Sequence, residues 1–219
     1  MRQLFLLSTI FYLSFSTFSL AQQYKPLYNQ KNLDDFTVEG GKATYTTKNG
    51  IITGYTALES PNTFLATKKV YGDFELIFKV KVDKDLNSGV QIRSRKRETT
   101  LGKFKTGKFY GPQVEIESKN GVAGYIYGEA MQGGWKSLNR KSHIYFKVGE
   151  WNEFKIIAKG AQIKTFINGF LVENLIDTET YKTHPKGHIG LQIHAISKKK
   201  LGTKKHLIAQ WKDLKIKEL

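Results

Sequence analysis

The sequence predicts an all-β protein, an antiparallel β-sandwich, on three observations. Apolar and polar residues alternate at a period of two. The alternating runs recur roughly every 8–15 residues between Gly-, Asn- or Lys-rich breaks. No stretch longer than about ten residues keeps a helical period with caps at both ends. Among the early elements, 43–46, 51–53 and 63–66 read as short strands. Phe74–Val82 is the clearest, with Phe74, Leu76, Phe78, Val80 and Val82 on one face. Gly89–Arg93, Gln113–Glu117, Tyr125–Tyr127 and 144–146 follow. Phe154–Lys159 and Ile163–Ile167 flank a turn at Gly160-Ala161. Asn168-Gly169 then predicts a tight hairpin returning through Phe170–Val172, because both turn residues tolerate positive φ. Thr178–Tyr181 fits one helical turn, and 188–194 and 207–217 complete the strands.

The chain ends and composition bound what such a sandwich can be. Arg2 precedes a run from Leu4 to Leu20 without acid or proline, and Ser19-Leu20-Ala21 presents the small residues of a cleavage site. Residues 1–21 are therefore expected to be an export signal and residues 22–219 one domain, periplasmic or secreted, with no stable membrane insertion after cleavage. The absence of cysteine excludes thiolate nucleophiles, zinc–sulfur sites and iron–sulfur clusters. A net charge of +16 in an exported chain points away from nucleic acid and toward acidic glycans or an anionic surface. Lys198–Lys200 with Lys204 and Lys205 reads as a solvated loop between two strands.

The segment Gly111–Glu117 carries the most chemistry. Residues two apart on a strand share a face and lie ~6.6 Å apart. Val114 and Ile116 would enter the core, while Gln113, Glu115 and Glu117 project from the other side. Mutual repulsion can drive neighbouring carboxyls to different pKa values, one acting as acid and one as base or nucleophile. Retaining glycosidases hold their pair ~5–5.5 Å apart. Other strands offer matching faces. Asn87 precedes Gln91 and Arg93, while His188, Gln192 and His194 share a face, as do Tyr125, Tyr127 and Glu129. Aligned on one sheet, they would form a polar trough for sugar hydroxyls. The loops 94–109 and 129–142 interrupt the strand rhythm, and the second offers Trp135 beside two glycines as a ring for a sugar face.

Other constellations are missing. There is no Gly-x-Ser-x-Gly elbow, phosphate loop or dinucleotide fingerprint. His188 and His194 match no helical zinc motif. No cofactor is required by any motif; a divalent metal such as calcium, held by loop oxygens, stays open, and no Asp-rich loop demands it.

Taken in order, several segments resemble the 3-keto-disaccharide hydrolase domain family. They are Leu27 to Phe36, Tyr71-Gly72-Asp73-Phe74, Asn87-Ser88-Gly89-Val90, Gly111 to Glu117, Tyr125-Ile126-Tyr127, Trp151 to Phe154, Asn168-Gly169 and Gly187 to His194. The family commonly places Glu, then Gln, then an acid after the glycine; here the order is Gln113, Glu115, Glu117. The resemblance implies a concanavalin A-like lectin/glucanase jelly roll acting on glycosides oxidised at carbon 3. A ketone there acidifies the hydrogen on carbon 2. A base such as Glu115 or His194, beside Glu117, can then expel the group at carbon 1, while donors such as Arg93 or Gln192 stabilise the enolate. Gln113, Asn87, Gln91, Tyr127 and Trp135 are the expected sugar contacts. A non-catalytic carbohydrate-binding module of the same fold is the alternative. A laminarinase-type glucanase and a structural role are weaker readings.

Overall fold

The computed structural model describes residues 23–103, 105, 107–117 and 121–219. The expected signal segment lies outside the described residues. The chain runs β1 (Lys25–Pro26), β2 (Phe36–Glu39), β3 (Thr44–Lys48), β4 (Ile51–Tyr55), β5 (Thr63–Thr67), β6 (Phe74–Val82), β7 (Asn87–Lys96) and β8 (Phe109–Glu117). Then follow β9 (Ile126–Glu129), β10 (Asn152–Lys159), β11 (Gln162–Ile167), β12 (Phe170–Ile176), α1 (Thr178–Thr183), β13 (His188–Ile193), α2 (Lys198–Leu201) and β14 (Ile208–Glu218).

Two antiparallel sheets form the predicted sandwich. One has the order β12-β11-β10-β6-β14-β4-β3, with β1 added beside β14; the other has the order β2-β5-β13-β7-β8-β9. The period-two pattern places the core between them. Phe74, Leu76, Phe78, Val80 and Val82 of β6 are all fully buried and face Val90, Ile92, Val114, Ile116 and Leu191 of the six-stranded sheet within one apolar cluster. Each such side chain stabilises the fold by about 1.5–3 kcal/mol on burial. Phe78 and Phe154, opposite each other on β6 and β10, stack with centroids 5.4 Å apart.

The turns obey their local chemistry. Asn168 and Gly169 take φ of 50° and 85° and bring Ile167 opposite Phe170, as a two-residue hairpin turn requires. The predicted helical turn at 178–181 is α1, whose first turn is capped by Asp177 accepting from Thr180 N at 2.9 Å.

Three expectations are corrected. Residues 144–146 form no strand: Ile144 is exposed, Tyr145 is stacked between His143 and Phe170, and the Asn168 amide takes the Tyr145 carbonyl. The lysine-rich 198–200 segment is a helical turn rather than a loop, because Ser197 caps it and Gly202, at φ 61°, ends it. The predicted 94–109 loop yields its ends to β7 and β8, which pair as far as Lys96 and Phe109.

Candidate functional site

The polar faces converge. With Val114 and Ile116 turned into the core, Gln113, Glu115 and Glu117 of β8 stand on the outward face of the six-stranded sheet. Gln113 lies opposite Gln91 on one side and Tyr127 on the other, Glu115 opposite Gly89, and Glu117 opposite Asn87. Gly89 is in turn opposite Gln192. A cleft of about 330 Å³ sits over this surface, lined by Asn87, Gln113, Glu115, Glu117, Tyr127, Trp135 and His194, with Asn62, Glu129 and Ala130.

Glu115 is the centre of the floor. It is 5 % exposed, and its Oε1 accepts from Gln113 Nε2 at 2.6 Å. Asn87 Nδ2 reaches Oε2 at 3.5 Å, a long and weak bond. Gln113 Nε2 also approaches Gln192 Oε1 at 3.3 Å, so one amide spans from the carboxyl to β13. That crossing needs Gly89, since a Cβ there would lie 2.6 Å from Gln113 Cδ. Burial drives the Glu115 carboxyl up to about 8, with smaller upward contributions from Glu129 and Glu117, against the two amide donors. At neutral pH Glu115 is therefore mostly a protonated acid.

His194 follows the end of β13 and lines the same cleft. Its Nδ1 lies 2.8 Å from the carbonyl of Ala195. A proton donated there leaves Nε2 as a lone-pair acceptor, which is the form of a general base. Asn62 fixes the neighbouring wall: its Oδ1 accepts from Ala195 N at 2.9 Å and its Nδ2 donates to Glu129 Oε1 at 3.2 Å. Burial also raises the Glu129 carboxyl, opposed by the Asn62 bond and the proximity of His194 and Lys108. Trp135 stands edge-on to Tyr127, centroids 5.3 Å apart, with the Arg140 guanidinium 4.1 Å above its ring. Among the described residues no group of three His, Asp or Glu converges as a metal cage.

Seven of the ten expected site residues line the cleft. Gln192 and Gln91 are fully buried: Gln192 touches the floor through Gln113, while both amide atoms of Gln91 lack a partner. Arg93 is the exception. An extra residue in β7 between Gln91 and Arg95, with Arg93 at φ 51°, breaks the alternation. The guanidinium reaches Gly72 O, Gly160 O and Asp73 Oδ1, each at 2.7 Å, so Arg93 laces the two sheets instead of meeting a sugar. Tyr125 also leaves its expected face; it is buried, with its hydroxyl between the amide and carbonyl of Lys141. Sequence reasoning missed Asn62 altogether, since a lone Asn before β5 gives no signal, and grouped Glu129 with Tyr127 without assigning it a role.

A β-sandwich with buried acid and amides under an open aromatic-walled cleft defines the class of carbohydrate-active or carbohydrate-binding proteins. The chain belongs to the 3-keto-alpha-glucoside-1,2-lyase-like domain family, whose model matches residues 23–217. Solved structures share the fold. A putative glycosyl hydrolase from Parabacteroides distasonis superposes with TM-score 0.61 at 18% identity, covering 90% of this chain and 94% of its own. The kappa-carrageenase of Pseudoalteromonas carrageenovora gives 0.63 at 9% identity, covering 94% and 98%. A carbohydrate-binding module from Bacillus subtilis gives 0.58 at 13%, covering 83% and 98%. No curated protein matches by sequence.

Proposed function

We propose that this protein is exported and cleaves 3-keto-glycosides by base-assisted elimination across carbons 1 and 2. The observation that carries the reading is the pairing of an acid and an imidazole in one cleft: Glu115, held protonated by burial, and His194, whose Nδ1 contact with the Ala195 carbonyl turns Nε2 to the role of acceptor. His194 Nε2 removes the hydrogen on carbon 2, which the ketone at carbon 3 acidifies. The electron pair forms the carbon 1–carbon 2 double bond as the carbon 1–oxygen bond breaks. The leaving oxygen takes the proton of Glu115, giving a free alcohol and an enone sugar. Water added across the enone completes hydrolysis. Arg93 has no part in this. Its enolate-stabilising role passes to the cleft amides, above all Asn87, whose 3.5 Å bond to Glu115 is easily exchanged for a ketone oxygen.

The segment at residues 1–21 supports export, with the proposed reaction in the periplasm or outside the cell. Among the described residues no helix is long and apolar enough to cross a membrane. The Trp135–Tyr127 pair supports a second reading, a binding module that holds sugars without turnover.

The deciding experiment incubates the mature chain with 3-keto-glycosides and with their unoxidised parents, following aglycone release and enone absorbance, with and without divalent metal. Release from the keto forms alone is expected. Binding without release from either makes this a recognition module.

A further inference from the structure

The Glu115 cleft is one end of a longer trough. Past Tyr127 and Trp135 it continues into a broad hollow of about 930 Å³ whose walls include Met131, Leu138 and Arg140. Leu101, Met131 and Gln132 join that hollow to a third, of about 450 Å³, between Tyr110, Lys136 and His184. The same device appears at two stations along this path. Arg140 lies 4.1 Å over the ring of Trp135, and Arg97 lies 3.9 Å over the ring of Tyr110. At each station the guanidinium covers one face of the ring, and Arg97 also donates to Ala130 O at 3.0 Å, so a sugar's apolar side packs on the ring's remaining surface with an anionic substituent toward the cation. Lys136 lines the far hollow with only a long 3.3 Å bond to Gln132 O. The one acid there, Glu179, is engaged by Lys182 at 2.7 Å.

The far end also holds an unmet polar group. His184 is 2 % exposed, its Nδ1 is 2.8 Å from the Thr183 hydroxyl, and its Nε2 has no partner. A sugar hydroxyl, which both donates and accepts, satisfies such a nitrogen in either tautomer.

We propose that the trough binds an acidic oligosaccharide, carrying carboxylate or sulfate groups, with rings on Trp135 and Tyr110 and its terminal sugar in the Glu115 cleft. This rests on the cleavage reading only for where the reacting sugar sits.

The test is calorimetric binding of unoxidised sugars, which the proposed reaction leaves intact, so a failed lyase assay does not affect it. The probes are tetragalacturonate, a sulfated galactan tetrasaccharide, maltotetraose and monomeric galacturonate. At least one acidic tetramer should bind tenfold or more tighter than maltotetraose and than the monomer, and weaken with added salt; which one does so identifies the anion. The variants Lys136→Ala, at a half-buried cation, and Tyr110→Ala, at a platform ring, should each weaken it fivefold or more, with melting temperatures held. Equal affinity for the neutral tetramer, equal affinity for the monomer, or no binding by any probe overturns the proposal.

Discussion

Gln113 donates its side-chain amide to Glu115 at 2.6 Å from two positions back on the same strand, and it can do so only over a backbone with no Cβ at Gly89. The bond joins the acid of the cleft to Gln192 on β13. The position of the cleft acid thus depends on a glycine that contributes only the space it leaves.

Gly89→Ala should displace the Gln113 amide without unfolding the chain, since the clashing atoms end a flexible side chain. A hydrogen bond between uncharged groups contributes about 0.5–1.5 kcal/mol, so turnover should fall roughly two- to tenfold while the circular dichroism spectrum stays unchanged. Wild-type turnover in this variant would remove Gln113 from the positioning role.

Glu115 links stability to pH. Its carboxyl titrates near 8 when folded against 4.5 unperturbed, so the native state holds an extra proton across that window. The contribution of this group is fully present below 4.5, falls as pH rises, and levels off above 8. Glu115→Gln removes the dependence. Its stability relative to the wild type should therefore rise between pH 5 and 8 by a few kcal/mol, of order one per unit. Urea unfolding at three pH values measures this, and parallel curves would show that Glu115 is ionised in the fold.

His194→Ala should lower keto-glycoside cleavage by about 10²–10⁴ with sugar affinity kept, as loss of a general base does. Added imidazole should restore part of the rate. Loss of affinity in step with rate would instead make His194 a binding group.

Arg93→Ala should cost about 1–3 kcal/mol, because it removes a buried guanidinium that bonds half-buried Asp73 and the carbonyls of Gly72 and Gly160. Arg93→Lys should rescue little, one ammonium being unable to meet three acceptors on separate turns. Thermal melting reads this, and a normal melting point with defective sugar binding would return Arg93 to the site.

The sheet core was legible because apolar residues at period two mark the face that packs inside: Val114 and Ile116 join the core cluster, while Gln113, Glu115 and Glu117 line the cleft. Register followed the same rule until β7 gained a residue. Nothing local to Arg93 announces a bulge, and one extra residue moved a guanidinium from the expected cleft to the opposite layer. Asn62 was illegible for another reason. Its role is defined by Ala195 and Glu129, which are far along the chain and come near only once β5, β13 and β9 share a sheet. The 144–146 error is similar: the apolar run satisfied a strand's composition, but stacking on Phe170 and the Asn168 amide took the backbone elsewhere.

Strand β8 holds the cleft and the core on alternate residues of one short ribbon. Any substitution there speaks to both layers at once, so the reactive floor has little room to drift without loosening the interior beneath it. The walls are under no such double duty. The segments bearing Trp135 and Lys136 can change length and character while the strand below stays fixed. In a lineage of such proteins, new sugar preferences should accumulate in those walls, leaving the floor as the slow-moving part.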